Sequence, residues 1–339
     1  MGYEKKDSLG WALIGCGGAG NGHASGAAAT PEIVLRGFCD VRGDSASDFC
    51  ARHGGAYHTT DPGEIFSDPE VDIVSIATSH QSHADLAVAA FEAGKHLYLE
   101  KPMAMTLEDC LRIRAAMMAA GTKLMINFSI RFSGAARAIK ERMRTAKISH
   151  SQCMMAPADL SRWRWNSVEG GGPLYDVGVH ALDFLCWIHA ADPVEVYAVG
   201  GQLTHPGELD SPELVDSAAA TIRFANDSVA TFLMSDAGFN DVVSKWFFEF
   251  FDGAQSAVLY DHFRTVTFNG LQGDGGQPLK ETLKPEPIAR MPMLVAAIRE
   301  DSDTYVGARA GIISTLMVQK LAESVQSGMP QKIEIPPGI

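Results

Sequence analysis

The sequence predicts two α/β domains: a doubly wound parallel sheet over residues 1–126, then an α/β domain on a mainly antiparallel sheet over 127–339. Three observations predict this. Short apolar runs alternate with helical patterns as far as about residue 125, which is the signature of a parallel sheet covered on both faces. Beyond residue 190, strand-like runs crowd together, separated by turns rather than helices. A length of 339 residues accommodates two domains at roughly 150 residues each.

The apolar runs of the first domain lie at 11–15, 33–40, 72–78, 96–100 and 124–129. The clearest helix begins at Thr106, an N-cap with Asp109 in capping-box position. It carries Leu107, Leu111 and Met118 at helical spacing and stops at Gly121. Another runs from about Ser82 to Ala93 and stops at Gly94. In the second domain, helical patterns over 134–146 and 176–190 flank Gly170-Gly171-Gly172. Strands follow at 195–199, 219–224, 229–233, 246–251, 258–260 and 265–268. Asn226-Asp227-Ser228 closes a hairpin, and Asp252-Gly253 and Asn269-Gly270 are further turn pairs. The Gly- and Pro-rich stretch 271–290 reads as a surface loop. A last helix over 307–327 ends at Gly328, and a Pro-rich tail follows.

Composition narrows the function classes. Lys and Arg number 28 against 41 Asp and Glu, a net charge of −13, and such a surface repels a nucleic-acid backbone. No run approaches the ~18–20 apolar residues of a membrane span. The start has no hydrophobic segment behind its charges, and Lys6 stands where a myristoylation motif needs Ser or Thr. Six scattered cysteines with no C-x-x-C pair fit reduced thiols, so a cytoplasmic protein is expected.

Gly15-Cys16-Gly17-Gly18-Ala19-Gly20 is a G-x-G-x-x-G directly after the first strand and before a helical stretch. Asp40 sits 20 residues past Gly20, at the end of the second strand. Together these are the context of a dinucleotide site. The glycines let the backbone approach a pyrophosphate at a helix N-terminus, and the carboxylate accepts from the ribose hydroxyls. Asp40 favours NAD by repelling the extra phosphate of NADP. Arg42 keeps NADP open, because an arginine there accepts that phosphate.

Glu100-Lys101-Pro102 closes the fourth strand and aims a lysine into the crevice where such sheets bind ligands. Downstream, Asp176, His180 and Asp183 share one face if the segment is a regular helix. A histidine with carboxylates a turn either side is a general base with orienters attached. A capped helix with a packed histidine is the plain alternative.

The combination GCGGAG, CD, EKP and GGGPLYDVGVHALD resembles the glucose–fructose oxidoreductase, inositol dehydrogenase and MocA family over nearly the whole chain. The resemblance implies a Rossmann domain plus an α/β domain on an open, largely antiparallel sheet. It also implies oxidation of a ring hydroxyl of a sugar or cyclitol with NAD or NADP. Lys101, Asp176 and His180 fall on the family's catalytic positions, and Asp183 on a structural or orienting one. Thr78, His80 and His83 occupy the loop beside the nicotinamide, where the family usually carries threonine-proline-asparagine. Together with Glu100 and Lys101 they complete the expected cofactor-side residues.

Further expectations concern substrate and assembly. Extended, Ser161–Trp165 places Trp163 and Trp165 on one face, suited to stacking on a sugar ring, with simple packing as the alternative. Asn127 and Arg131, past the fifth strand, are candidate substrate ligands. His80 and His83 lack the further ligands of a metal site, so no metal is expected. Trp246, Phe248 and Phe250 alternate along one strand and are expected on an exposed sheet face that joins a homodimer or homotetramer. The function expected is NAD(P)-dependent dehydrogenation of a small sugar or polyol. An NAD-retaining glycoside-cleaving or lyase-type enzyme and a non-catalytic sensor are the alternatives.

Overall fold

The computed structural model describes residues 6–143, 145–155, 159–238, 244–271 and 278–339. The start of the chain (1–5) and residues 272–277 of the expected surface loop lie outside this set. The chain divides into two compact units, Met1–Asn127 with Ala289–Ile312, and Phe128–Ile288 with Ile313–Ile339. The sequence reading carries everything after 126 as one block and does not draw the return of 289–312 to the first unit.

The first unit holds a six-stranded sheet. Its strands are β1 (Leu9–Ile14), β2 (Ile33–Cys39), β3 (Tyr57–Thr59), β4 (Ile73–Ile76), β5 (His96–Leu99) and β6 (Leu124–Ile126). They run parallel in the order β3-β2-β1-β4-β5-β6. The helices are α1 (Gly18–Ala28), α2 (Gly43–His53), α3 (Pro62–Ser67), α4 (His83–Glu92) and α5 (Leu107–Ala120). Every residue of β1, β4, β5 and β6 is buried, as two-sided helical cover requires. The strand order reverses between β1 and β4, so the ligand crevice lies at their carboxyl ends. Helix α5 starts and stops as its sequence predicts: Thr106 Oγ1 accepts the Asp109 N–H at 3.1 Å, and Gly121 is left-handed. The segment β3, α2 and α3 carries a fainter pattern, because α2 buries only Ala46 and Phe49.

The second unit is built on a nine-stranded sheet. In chain order it contains α6 (Gly134–Arg142), β7 (Ile148–Met154), α7 (Val179–His189), β8 (Pro193–Gly201), β9 (Ser217–Phe224) and β10 (Val229–Ser235). Then come β11 (Trp246–Phe251), β12 (Gln255–Tyr260), β13 (Thr265–Leu271) and β14 (Pro278–Leu283). Helix α8 (Arg290–Glu300) belongs to the first unit, and α9 (Ala308–Ser327) and β15 (Gln331–Lys332) close the chain. The sheet order is β14-β13-β12-β11-β7-β10-β9-β8-β15. Its pairings are antiparallel apart from β7 with β10.

Three expectations change here. The central strand β7 escapes the sequence pattern because its inward residues are Ser149, Ser151 and Cys153 rather than large apolar ones. Ser149 Oγ instead meets His189 Nε2 at 2.8 Å, and burial pushes that imidazole down to about 4, keeping it neutral. Part of the expected loop 271–290 is strand β14, hydrogen-bonded to β13. Finally, Trp246, Phe248 and Phe250 are buried, with Phe184 of α7 edge-on to Phe248 at 5.0 Å and to Phe250 at 5.4 Å. They are core. The outward face of β11 is the one carrying Phe247, Glu249 and Phe251, and the charge of Glu249 decides which face stays out.

Candidate active site

The glycine loop at the end of β1 uses its glycines in two ways. A Cβ at Gly15 (φ +101°) would lie 2.4 Å from the Ala77 carbonyl oxygen, and one at Gly20 would lie 2.1 Å from the Gly15 carbonyl oxygen. These two permit strand, loop and helix to pack. Gly17 and Gly18 face open space, with nothing within 4 Å of either Cβ position. Ala19 follows in the first turn of α1, whose N-cap, Gly17, offers no side chain to the helix N–H groups. A bare helix N-terminus beside an open backbone is a cradle for a pyrophosphate. Asp40 is held at its edge: one carboxylate oxygen accepts the Cys16 N–H at 2.8 Å and the other the Arg42 N–H at 2.9 Å. The Arg42 side chain is 72% exposed, with Nε 3.6 Å from Asp40. The donor set therefore fits a dinucleotide, with Asp40 placed for the ribose. Burial and the nearby Asp40 carboxylate push the Cys16 thiol up to about 12, so it acts as a small apolar residue.

At the carboxyl end of β5, Glu100 is the hub of a buried polar network. Glu100 Oε1 accepts from Asn127 Nδ2 at 2.5 Å and lies 3.0 Å from His23 Nε2. The other oxygen accepts the Lys101 N–H at 3.2 Å. Burial alone would raise the Glu100 pKa. The His23 and Asn127 hydrogen bonds and the Lys101 charge outweigh it and hold the carboxyl well below the usual range. His23 stacks on Tyr98, 4.4 Å between ring centroids. Asn127 Oδ1 accepts from Arg290 Nη1 at 2.9 Å. Both ends of the Asn127 amide are thus engaged within the first unit, so it acts on the Glu100–Lys101 turn. His23 and Arg290 were missed as partners. Nothing in their local sequence points to Glu100, and Arg290 is 190 residues away from it.

The cofactor-side loop divides. Thr78, at the end of β4, accepts from Ser82 Oγ at 2.7 Å, and a short 3₁₀ turn, His80–Ser82, leads into α4. His83 is fully buried and its Nδ1–H donates to the Pro102 carbonyl at 2.8 Å, bracing the residue after Lys101. Burial lowers its pKa, keeping it neutral. His80 is buried beside it, 5.8 Å between rings. Among the described residues, no cluster of His, Cys, Asp and Glu suits a metal.

In the second unit the tri-glycine motif is explained by close approach. A Cβ at Gly170 would lie 2.3 Å from Arg164 Cα, and Gly171 and Gly172 have φ of +74° and +77°. Next comes a π-helical turn, Leu174–Gly178, before α7. The wide turn departs from the 3.6-residue register between Asp176 and His180, while His180 and Asp183 keep their i, i+3 spacing within α7. Asp176 pairs with Arg164 Nη1 at 3.1 Å. His180 is half-buried, edge-on to Phe128 at 6.1 Å and to Trp246 at 5.8 Å. Asp183 is buried and takes both arms of Arg131, at 2.7 and 2.6 Å. Arg131 is therefore committed to an internal ion pair. Trp163 and Trp165 do not extend along a strand as expected. They bracket a 3₁₀ turn, Trp163–Trp165, with Trp163 exposed and Trp165 buried.

Comparison with known proteins places this arrangement. The oxidoreductase family with an NAD-binding Rossmann fold matches residues 9–128, and the GFO/IDH/MocA C-terminal domain matches 141–241. A 1,5-anhydro-D-fructose reductase of Ensifer adhaerens is 28% identical over 229 residues, 66% of this chain and 68% of that protein. A myo-inositol 2-dehydrogenase of Thermotoga maritima is 24% identical over 337 residues, 95% and 98% of the two chains. A levoglucosan dehydrogenase solved with NADH superposes with a TM-score of 0.87 at 22% identity, covering 96% of this chain and 99% of that one. No helix among the described residues is long and apolar enough to cross a membrane. The open glycine loop, the Asp40 carboxylate and the matched domains together make this chain an NAD-binding oxidoreductase of the GFO/IDH/MocA family.

Proposed function

We propose that the chain oxidises a ring hydroxyl of a neutral sugar or cyclitol, with Lys101, Asp176 and His180 as its working residues. The observation that carries this reading is the buried network that presents Lys101. Glu100, His23, Asn127 and Arg290 fix the strand end from below, and His83 fixes the residue after it. A lysine braced on both sides is a preorganised donor to a developing alkoxide. His180 accepts the hydroxyl proton, with Phe128 and Trp246 edge-on to its imidazole. Asp176 holds its partners in register. Bound NAD supplies the hydride acceptor. The test is a panel of polyols, sugars and cyclitols followed at 340 nm with NAD. Turnover of at least one supports the reading, and none across the panel removes it.

Asp40 sets the cofactor preference. Asp40→Ser lifts the repulsion of the 2′-phosphate, so NADPH binding strengthens while NADH binding weakens, read by fluorescence titration of both. A parent protein that binds NADPH at least as tightly as NADH assigns the preference to Arg42 instead.

Assembly follows from the uncovered face of the second sheet. Tyr197 and Val199 of β8, Ile148 of β7 and Phe251 of β11 point outward and are exposed. The face is continuous in register through Thr221 and Thr231. Two copies related by a two-fold axis cover it. Light scattering at micromolar concentration is expected to give a dimer or tetramer, and Val199→Asp with Phe251→Asp to shift it to monomer. A monomeric parent protein ends this assignment.

A further inference from the structure

Segments 160–169 and 208–210 of the second unit line an open cleft of about 340 Å³, within the size range of small-ligand sites. Trp163, Trp165, Arg162, Glu169, Glu208 and Asp210 are among its lining. The walls are fixed before any ligand arrives. Asp210 accepts from Asn166 Nδ2 at 2.9 Å and from the Ser167 N–H at 3.0 Å, tying one segment to the other. Trp165 is 7% exposed and lies edge-on to His205 at 6.1 Å. His205 Nε2 is in turn held 2.8 Å from the buried Asp236 carboxylate. Trp163, 37% exposed, is the indole most open to a ligand.

The lining chemistry selects a ligand class. Indole faces take up apolar C–H surface, and carboxylates accept from hydroxyl groups. A pyranose or cyclitol ring has both: axial C–H faces and a rim of hydroxyl donors. Three carboxylates against one guanidinium disfavour phosphorylated or acidic sugars. The position matters as much as the lining. Trp163, Arg164 and Trp165 form one 3₁₀ turn. Its outer residues line the cavity, and its middle residue pairs with Asp176 at 3.1 Å. Asp176 is thus tied to the same 3₁₀ turn that carries two of the lining residues.

We propose that this cavity is a subsite for a second neutral sugar ring, joined to the ring that is oxidised, so that the preferred substrate is a glycoside or disaccharide. The proposal rests on the assignment of Asp176 and His180 to the substrate given above. The experiment is calorimetric titration of the NADH-loaded protein with glucose, galactose, mannose and xylose, each against cellobiose, lactose, mannobiose and xylobiose. The second ring is expected to improve affinity at least about tenfold in one or more pairs. Trp163→Ala is expected to bring that ratio to within about twofold of unity, with single-ring affinity retained as the check that the protein is folded. A parent protein with no gain in any pair, or a gain that persists in Trp163→Ala, overturns the proposal. The 340 nm assay separates the two readings. Turnover of single rings without a disaccharide gain removes the subsite alone. A Trp163-dependent gain without turnover of any sugar keeps the subsite and removes the dehydrogenase reading.

Discussion

Lys101→Ala and His180→Ala each lower kcat by at least ~100-fold, since positioned acid–base groups contribute about 10²–10⁴ in rate, or roughly 3–5 kcal/mol of barrier. NADH affinity stays near that of the parent, because the Gly15–Gly20 loop and Asp40 are untouched. The double variant falls well short of the product of the two effects, since both groups act on one proton and one developing alkoxide. Stopped-flow and steady-state kinetics with the best sugar of the panel check this. A His180→Ala enzyme with near-normal kcat leaves Lys101 as the sole acid–base group. Asp176→Asn is costly as well, because an amide orients Arg164 without neutralising it.

The second large effect is on stability. Asp183 is buried and bidentate to Arg131, whose guanidinium also lies over the Trp187 ring at 5.4 Å. Burial pushes the Asp183 pKa up and the guanidinium pulls it back. Arg131→Ala strands that carboxylate in the interior, which costs about 3–5 kcal/mol, a fall on the order of 10 °C in Tm. Arg131→Met combined with Asp183→Leu recovers most of the loss, because no charge is then left unpaired. Calorimetry of the three variants decides it. An Arg131→Ala protein with an unchanged Tm and a raised KM instead makes Arg131 a substrate ligand, the role its place in the sequence suggests.

The contrast at Arg131 shows where sequence reasoning reaches. The dinucleotide loop was legible because each of its requirements is local. Gly20 is needed for backbone approach to Gly15 five residues earlier, and Asp40 follows at the end of the next strand. The same holds for the cap and stop of α5, whose partners are four residues apart or fewer. Periodicity failed where the inward side chains were small and polar, as in β7, or where both faces of a strand were aromatic, as in β11.

What the sequence determined by itself is the fold class and the dinucleotide loop, both set by short-range backbone and spacing rules. Tertiary structure alone decided which polar groups are spent on one another. Glu100 draws on His23 and Asn127, Asn127 in turn on Arg290, and Arg131 is taken by Asp183 of α7. The π-helical turn before α7 likewise leaves no mark in the spacing of the sequence. For the charged groups the physical reason is shared. A buried charge must find a partner, and which partner is near is a property of packing across distant segments, which no local pattern records.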